Sequence, residues 1–122
     1  MAVNHSQPGK RPAPLRFLGV AHPDGTWRET FGRPGSGLGE LSYPYDVRVD
    51  RTGLRYVCEF GHSRIQIFDA GNRPLEIIGG PGLAPGEFNN PWSIALDSRG
   101  NLYVADSGNH RVQKLVRRTP LR

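Results

Sequence analysis

The sequence predicts an all-β fold built from a repeated four-stranded unit. Three observations lead there. Residues recur 47 places apart over a long ungapped stretch: Glu40 meets Glu87, Pro44 Pro91, Asp50 Asp97, Gly53 Gly100, Gly61 Gly108, Arg64 Arg111 and Gln66 Gln113. Short segments alternate apolar and polar residues, the period-two pattern of a half-buried strand. Glycine (16) and proline (11) punctuate these segments, as tight turns between short strands require.

The elements follow in order. Tyr45-Asp46-Val47-Arg48-Val49 alternates, and Trp92-Ser93-Ile94-Ala95-Leu96 repeats the pattern. Val47, Val49, Ile94 and Leu96 are therefore expected in a core, and Trp92 with them. Asp50-Arg51-Thr52-Gly53 and Asp97-Ser98-Arg99-Gly100 read as tight turns, with glycine where positive φ is needed. A second strand is predicted over Leu54 to Cys58 and Asn101 to Ala105. A turn follows at Glu59 to Ser63 and Asp106 to His110. A third strand runs Arg64 to Phe68 and Arg111 to Leu115. After a turn at Asp69 to Pro74, Leu75 to Ile78 forms a fourth strand. The Gly/Pro stretch Gly79 to Pro91 then restarts the cycle, as a connector rather than a phosphate-cradling loop. Four antiparallel strands in a unit of this length fit a propeller blade.

Gly86-Glu87-Phe88-Asn89-Asn90-Pro91, Asp97-Ser98-Arg99-Gly100, Tyr103-Val104-Ala105-Asp106 and Asn109-His110-Arg111 together resemble the NHL repeat, whose pattern is Gly-x-Phe-x-x-Pro, Asp-x-x-Gly, Tyr-Val-Ala-Asp and Asn-His-Arg. The first unit departs from that pattern: Leu41 stands for Phe, Arg55 for an apolar residue, Cys58 for Ala, Glu59 for Asp, and His62-Ser63 for Asn-His. The resemblance covers about residues 31–116 and implies NHL-type β-propeller blades. More weakly, Leu15 to Val20 and Trp27 to Phe31 align with strands three and four of a preceding blade. The expected organisation is a disordered Pro/basic tail over 1–14, propeller repeats over 15–116 (partial blade 15–36, blade 37–83, blade 84–116) and a basic tail over 117–122. That is about two and a quarter blades, an incomplete ring.

The net charge of +5 sits at the ends. Residues 21–111 hold nine arginines against eleven acidic residues, and the flanking segments hold basic residues only. The folded part is thus slightly acidic, which argues against a nucleic-acid partner. No stretch approaches the roughly 18 apolar residues of a membrane span. Met1 to Leu15 lacks the apolar run of a secretory signal, so the default expectation is cytoplasmic. Cys58 is the sole cysteine, which excludes an internal disulfide and a multi-cysteine zinc site.

Antiparallel strands place the turn between strands two and three at the same end as the loop leading into strand one. Gly61 to Ser63, Ser107 to His110 and Gly79 to Pro91 should therefore share one face, a natural binding surface. The resemblance points to the same face. Tyr43, Tyr45, His62, Asn109 and His110 are its candidate contact residues. Glu59 with Arg64, and Asp106 with Arg111, flank four-residue turns and are read as structural ion pairs with solvent-facing arginines. His5, His22, His62 and His110 show no ligand spacing, and His62 aligns with Asn109 rather than His110.

Two function classes follow. The first is a binding or assembly module for a protein or peptide, part of a larger propeller or a homo-oligomer whose copies complete one another. The second, implied by the resemblance alone, is a piece of a propeller enzyme, peptidyl-α-hydroxyglycine lyase-like or lactonase-like. An RNA-binding version of the module is the further alternative. The lyase draws its ligands from many blades, which this chain cannot supply by itself. No catalytic residue, cofactor or metal ligand is assigned, and the binding module is preferred over the enzyme.

Overall fold

A computed structural model describes residues 2–4, 18–21, 24 and 27–117, with side chains described for Asp24 and residues 32–117. The described chain is all-β, and its helical content is two single turns of 3-10 helix. Among the described residues no helix is long and apolar enough to cross a membrane.

The first full blade is an antiparallel sheet of β6 (Pro44–Val49), β7 (Arg55–Glu59), β8 (Arg64–Phe68) and β9 (Pro74–Gly79), in that order. The second holds β10 (Ser93–Leu96), β11 (Leu102–Asp106) and β12 (Arg111–Leu115). Registers match across the repeat: Val57 pairs with Gln66 and Glu59 with Arg64, as Val104 pairs with Gln113 and Asp106 with Arg111. The turn from strand one to strand two is built by an aspartate in each blade. Asp50 Oδ1 accepts from the Thr52 and Leu54 amides, and Asp97 Oδ1 from the Arg99 and Asn101 amides. Gly53 and Gly100 close these turns at φ +91° and +81°, a region costly for any residue with a Cβ.

Upstream, β1 (Ala2–Asn4), β2 (Leu18–Ala21) and β3 (Trp27–Phe31) form a third antiparallel sheet, and in the lead-in loop of the first full blade the short strands β4 (Arg33–Pro34) and β5 (Glu40–Leu41) pair in parallel. β2 and β3 occupy the segments aligned with strands three and four of a preceding blade. Ala2–Asn4, within the segment expected to form a tail, runs antiparallel to β2. The rest of that segment, His5, His22 and residues 118–122 lie outside the described residues.

The core sits between blades. Tyr56, Cys58, Ile65 and Ile67 on one face of the first blade pack against Phe88, Ile94, Leu102 and Val104 of the second. Leu41, Val57 and Phe68, with Val47, form a separate cluster on the first blade's other face. Each blade thus presents one residue set forward and another backward, and strand periodicity separates them. Val47 and Leu96 are partly buried at the margins of these clusters.

Two core expectations are corrected. Val49 is 51% exposed, because β6 ends there and the side chain flanks a cleft beside the Asp50 turn. Trp92 is 59% exposed, because it lies one residue before β10 and its ring rises from the end of the sheet.

Polar side chains also join the blades. Asp46 Oδ2 accepts from the Ile94 amide and Arg48 Nε donates to the Ile94 carbonyl, both at 2.9 Å. This Asp–Arg pair satisfies the backbone of β10 as a neighbouring strand would. Its counterparts in the second unit are Ser93 and Ala95, which cannot repeat the clamp.

Candidate functional site

Each blade needs a device to hold a long, glycine-rich lead-in loop against its sheet. A buried carboxylate at the end of strand two supplies it. Glu59 accepts from the Ser42 amide (3.1 Å), Arg64 Nε (2.8 Å) and Gln66 Nε2 (3.0 Å). Asp106 accepts from the Asn89 amide (2.7 Å), Arg111 Nε (2.7 Å) and Gln113 Nε2 (3.1 Å). The guanidinium groups reach onward: Arg64 donates to the carbonyls of Ser36, Gly37 and Glu40, and Arg111 to those of Ala84 and Glu87. Gln66 donates to the Glu40 carbonyl while accepting from the Gly39 amide, and Gln113 does the same with Glu87 and Gly86. Both networks link the same repeat positions. Glu59 preserves every bond type that Asp106 makes to the sheet and loop backbone, so the longer side chain is absorbed by local adjustment.

The Glu59–Arg64 pair is more deeply buried than a solvent-facing arginine would be. The Arg64 side chain is 9% exposed, against 32% for Arg111, and both carboxylates are fully enclosed. The lead-in loop lies over the Arg64 guanidinium and accepts three further hydrogen bonds from it, which explains the burial. Burial pushes the Asp106 carboxyl up, yet hydrogen bonds from the Asn89 amide, Arg111, Asn109 and Gln113 outweigh it and hold it below its ordinary value.

His62 and Asn109 occupy one repeat position and share one job. His62 Nε2 donates to the Gly35 carbonyl at 2.8 Å, and Asn109 Nδ2 to the Gly82 carbonyl at 2.9 Å. His62 Nε2 and Asn109 Nδ2 are therefore committed to the loops, and Asn109 Nδ2 donates to Asp106 Oδ2 as well. His110 stands exposed at φ +55°, the left-handed residue that closes the second turn, as Ser63 closes the first at +50°.

The loops and turns do share one face. Phe60 and Gly61 donate their amides to the carbonyls of Tyr43 and Ser42, and Gly108 donates to Asn89. On this fixed framework stands an aromatic group. Tyr45 stacks on Phe60 with centroids 4.5 Å apart and meets Trp92 edge-on at 6.0 Å. Tyr43 lies on the same face, held at φ +48°. Tyr43, Tyr45 and Trp92 are all exposed. Tyr45 and Trp92 hold the same repeat position, so successive blades deliver neighbouring rings to one end of the sheets.

The NHL repeat family model matches residues 88–115. The chain carries an NHL repeat. Its matched span runs from Phe88 in the lead-in loop through β12, and thus includes the second carboxylate network except the loop backbone of Gly82, Ala84, Gly86 and Glu87. The first unit repeats the matched second unit in register and in the hydrogen bonds of its carboxylate network. Protein lin-41 of Caenorhabditis elegans is 48% identical to this chain over 40 residues. That alignment covers 33% of this chain and 4% of the relative, so the chain spans a very small part of that protein's length.

Four participants are not legible in the sequence as such. Gln66 and Gln113 were visible as identities in the repeat, but nothing in their spacing marked them as the bridge between carboxylate and loop. Phe60 replaces Ser107 and had no repeat signal. Strand phase puts Trp92 in the core. Its position beside Pro91, at the strand's outer end, was the available clue to exposure.

Proposed function

We propose that this NHL-repeat chain is a binding module for a protein or peptide, docked on the lead-in-loop face through Tyr43, Tyr45 and Trp92. The observation that carries the reading is the aromatic group itself. Three large rings stay exposed on a surface whose backbone is tied down by two buried carboxylate networks. Tyr and Trp supply contact area with few rotors to freeze, and they are the residues that most often anchor protein contacts. A rigid framework lowers the ordering cost of binding. His62 and Asn109 act as positioning residues under this surface, and His110 contributes at its rim.

A nucleic-acid partner is disfavoured by the charges on the same face. Among the described residues, Arg33, Arg64 and Arg111 there are each paired with a carboxylate: Glu40, Glu59 and Asp106. Phosphate contacts would have to break those pairs.

The test is selection of peptides from a displayed random library on the immobilised chain. Enriched peptides should lose about tenfold or more in affinity for the Tyr45→Ser/Trp92→Ser double variant, since anchor truncations commonly cost over 1 kcal/mol each. Equal binding to parent and variant, or no enrichment, would refute the reading.

A further inference from the structure

The opposite end of the blades carries a second feature that the binding face does not use. There the turn between strands one and two of each blade meets the segment following β12. Between them lies a cleft of about 490 Å³, within the range of small-molecule pockets. Val49, Leu54 and Leu96 make its apolar wall, and Arg51, Arg99 and Arg117 its charged rim.

These arginines differ from those on the other face. Among the described residues none of the three forms an ion pair. The nearest carboxylates, Asp50 and Asp97, also line the cleft, but their oxygens are occupied. Asp50 accepts from the Thr52 hydroxyl and amide, the Leu54 amide and the Tyr56 hydroxyl. Asp97 accepts from the Arg99 and Asn101 amides, Asn101 Nδ2 and the Tyr103 hydroxyl. Arg117 is held across the gap between blades. Its amide donates to Asn101 Oδ1, and its guanidinium donates to the Tyr56 hydroxyl and lies 5.8 Å from that ring's centroid. One guanidinium is thus positioned, and among the described residues Arg51 and Arg99 line the same cleft without an ion-pair partner.

We propose that this cleft binds a small phosphate monoester with an apolar body, the phosphate held by Arg51, Arg99 and Arg117 and the body laid on Val49, Leu54 and Leu96. Planar guanidinium groups match phosphate oxygens in paired hydrogen bonds, and three arginines against two aspartates leave the cleft with a net positive charge that suits an anion. Inorganic phosphate would leave the apolar wall unused. Val49, left exposed where β6 ends, is open to a ligand on that wall.

Calorimetric titration of the full chain with phenyl phosphate, inorganic phosphate and benzoate tests the proposal. Phenyl phosphate should bind saturably, more tightly than either other probe, and more weakly as salt is added. Arg51→Gln/Arg99→Gln, two exposed changes compatible with folding, should weaken it about tenfold or more. Arg73→Gln, whose partner is Asp69 in another turn, should leave it unchanged. The Tyr56 ring resonances should shift on binding, because the ligand engages the guanidinium that touches that ring. No saturable binding, equal binding of inorganic phosphate or benzoate, or indifference to the double substitution would overturn the proposal.

Discussion

At the residue scale, burial decides chemistry. The Cys58 thiol is pushed up to about 12 by burial, with the nearby carboxylates of Asp46 and Glu59 adding to the effect. Its sulfur donates to the Pro91 carbonyl between the blades. The thiolate is the reactive form, so Cys58 should resist a disulfide reagent at pH 8 in the folded chain and react at once in denaturant. Prompt labelling of the folded chain would show that the blades part. Ile94 and Val49 make a second contrast. Both are apolar strand residues, but Ile94 is 3% exposed and packed between blades. Ile94→Ala should cost about 2 to 5 kcal/mol in a denaturant titration, and Val49→Ala no more than about 0.5 kcal/mol. Alternation in the sequence identified Ile94 and partly placed Val47 and Leu96. It failed at Val49 and Trp92, because phase along a strand says which face a side chain takes and not whether another sheet covers that face at the strand's ends.

At the scale of the element, the lead-in loop and its carboxylate act as one piece. The ion pairs at Glu59–Arg64 and Asp106–Arg111 were legible from their positions beside the turns. Their depth was not, since a loop folding back over an arginine leaves no local pattern. Depth sets the expected cost of breaking them. Among the described residues Arg64 is the only counter-charge of the fully enclosed Glu59, so Arg64→Gln should destabilise by about 3 to 5 kcal/mol. Arg111→Gln leaves Asp106 with its other donors and a partly solvated site, so about 1 to 2 kcal/mol is expected. Similar costs for the two variants would contradict the difference in burial. The Asp106 carboxyl is held below its ordinary 3.8 when folded. Its contribution is therefore complete above that value and is lost as pH falls through the folded value. Melting temperature should drop below about pH 4 in the parent chain. Asp106→Asn should show a shallower drop, and an unchanged acid profile would remove Asp106 from the network's energetics.

At the scale of the whole molecule, the two blades are not equivalent. β7 and β8 are buried along nearly their full length, whereas β12 alternates between partly buried and exposed residues. The forward face of the second blade carries Tyr103, Ala105, Val112 and Lys114 at the positions of Tyr56, Cys58, Ile65 and Ile67. Val112 is 70% exposed, and the Lys114 ammonium lies 5.7 Å from the Tyr103 ring centroid. A lysine on an open sheet face opposes unplanned pairing. Lys114→Ile should therefore raise self-association in light scattering at a fixed concentration, and an unchanged mass would deny that role. The repeat made the blades and their order readable, because identical spacing demands identical units. The aromatic group was only half readable: Tyr43 and Tyr45 stood out, while Phe60 and Trp92 join them through a contact between units that no single segment encodes. That surface is the centre of the functional account, and residue-resolved NMR during titration with a selected peptide tests it most directly. Shifts should concentrate at Tyr43, Tyr45, Phe60 and Trp92, extend to His110, and leave the Asp50–Gly53 and Asp97–Gly100 turns unmoved. Shifts confined to those turns, or an unperturbed Trp92 indole at saturation, would contradict it.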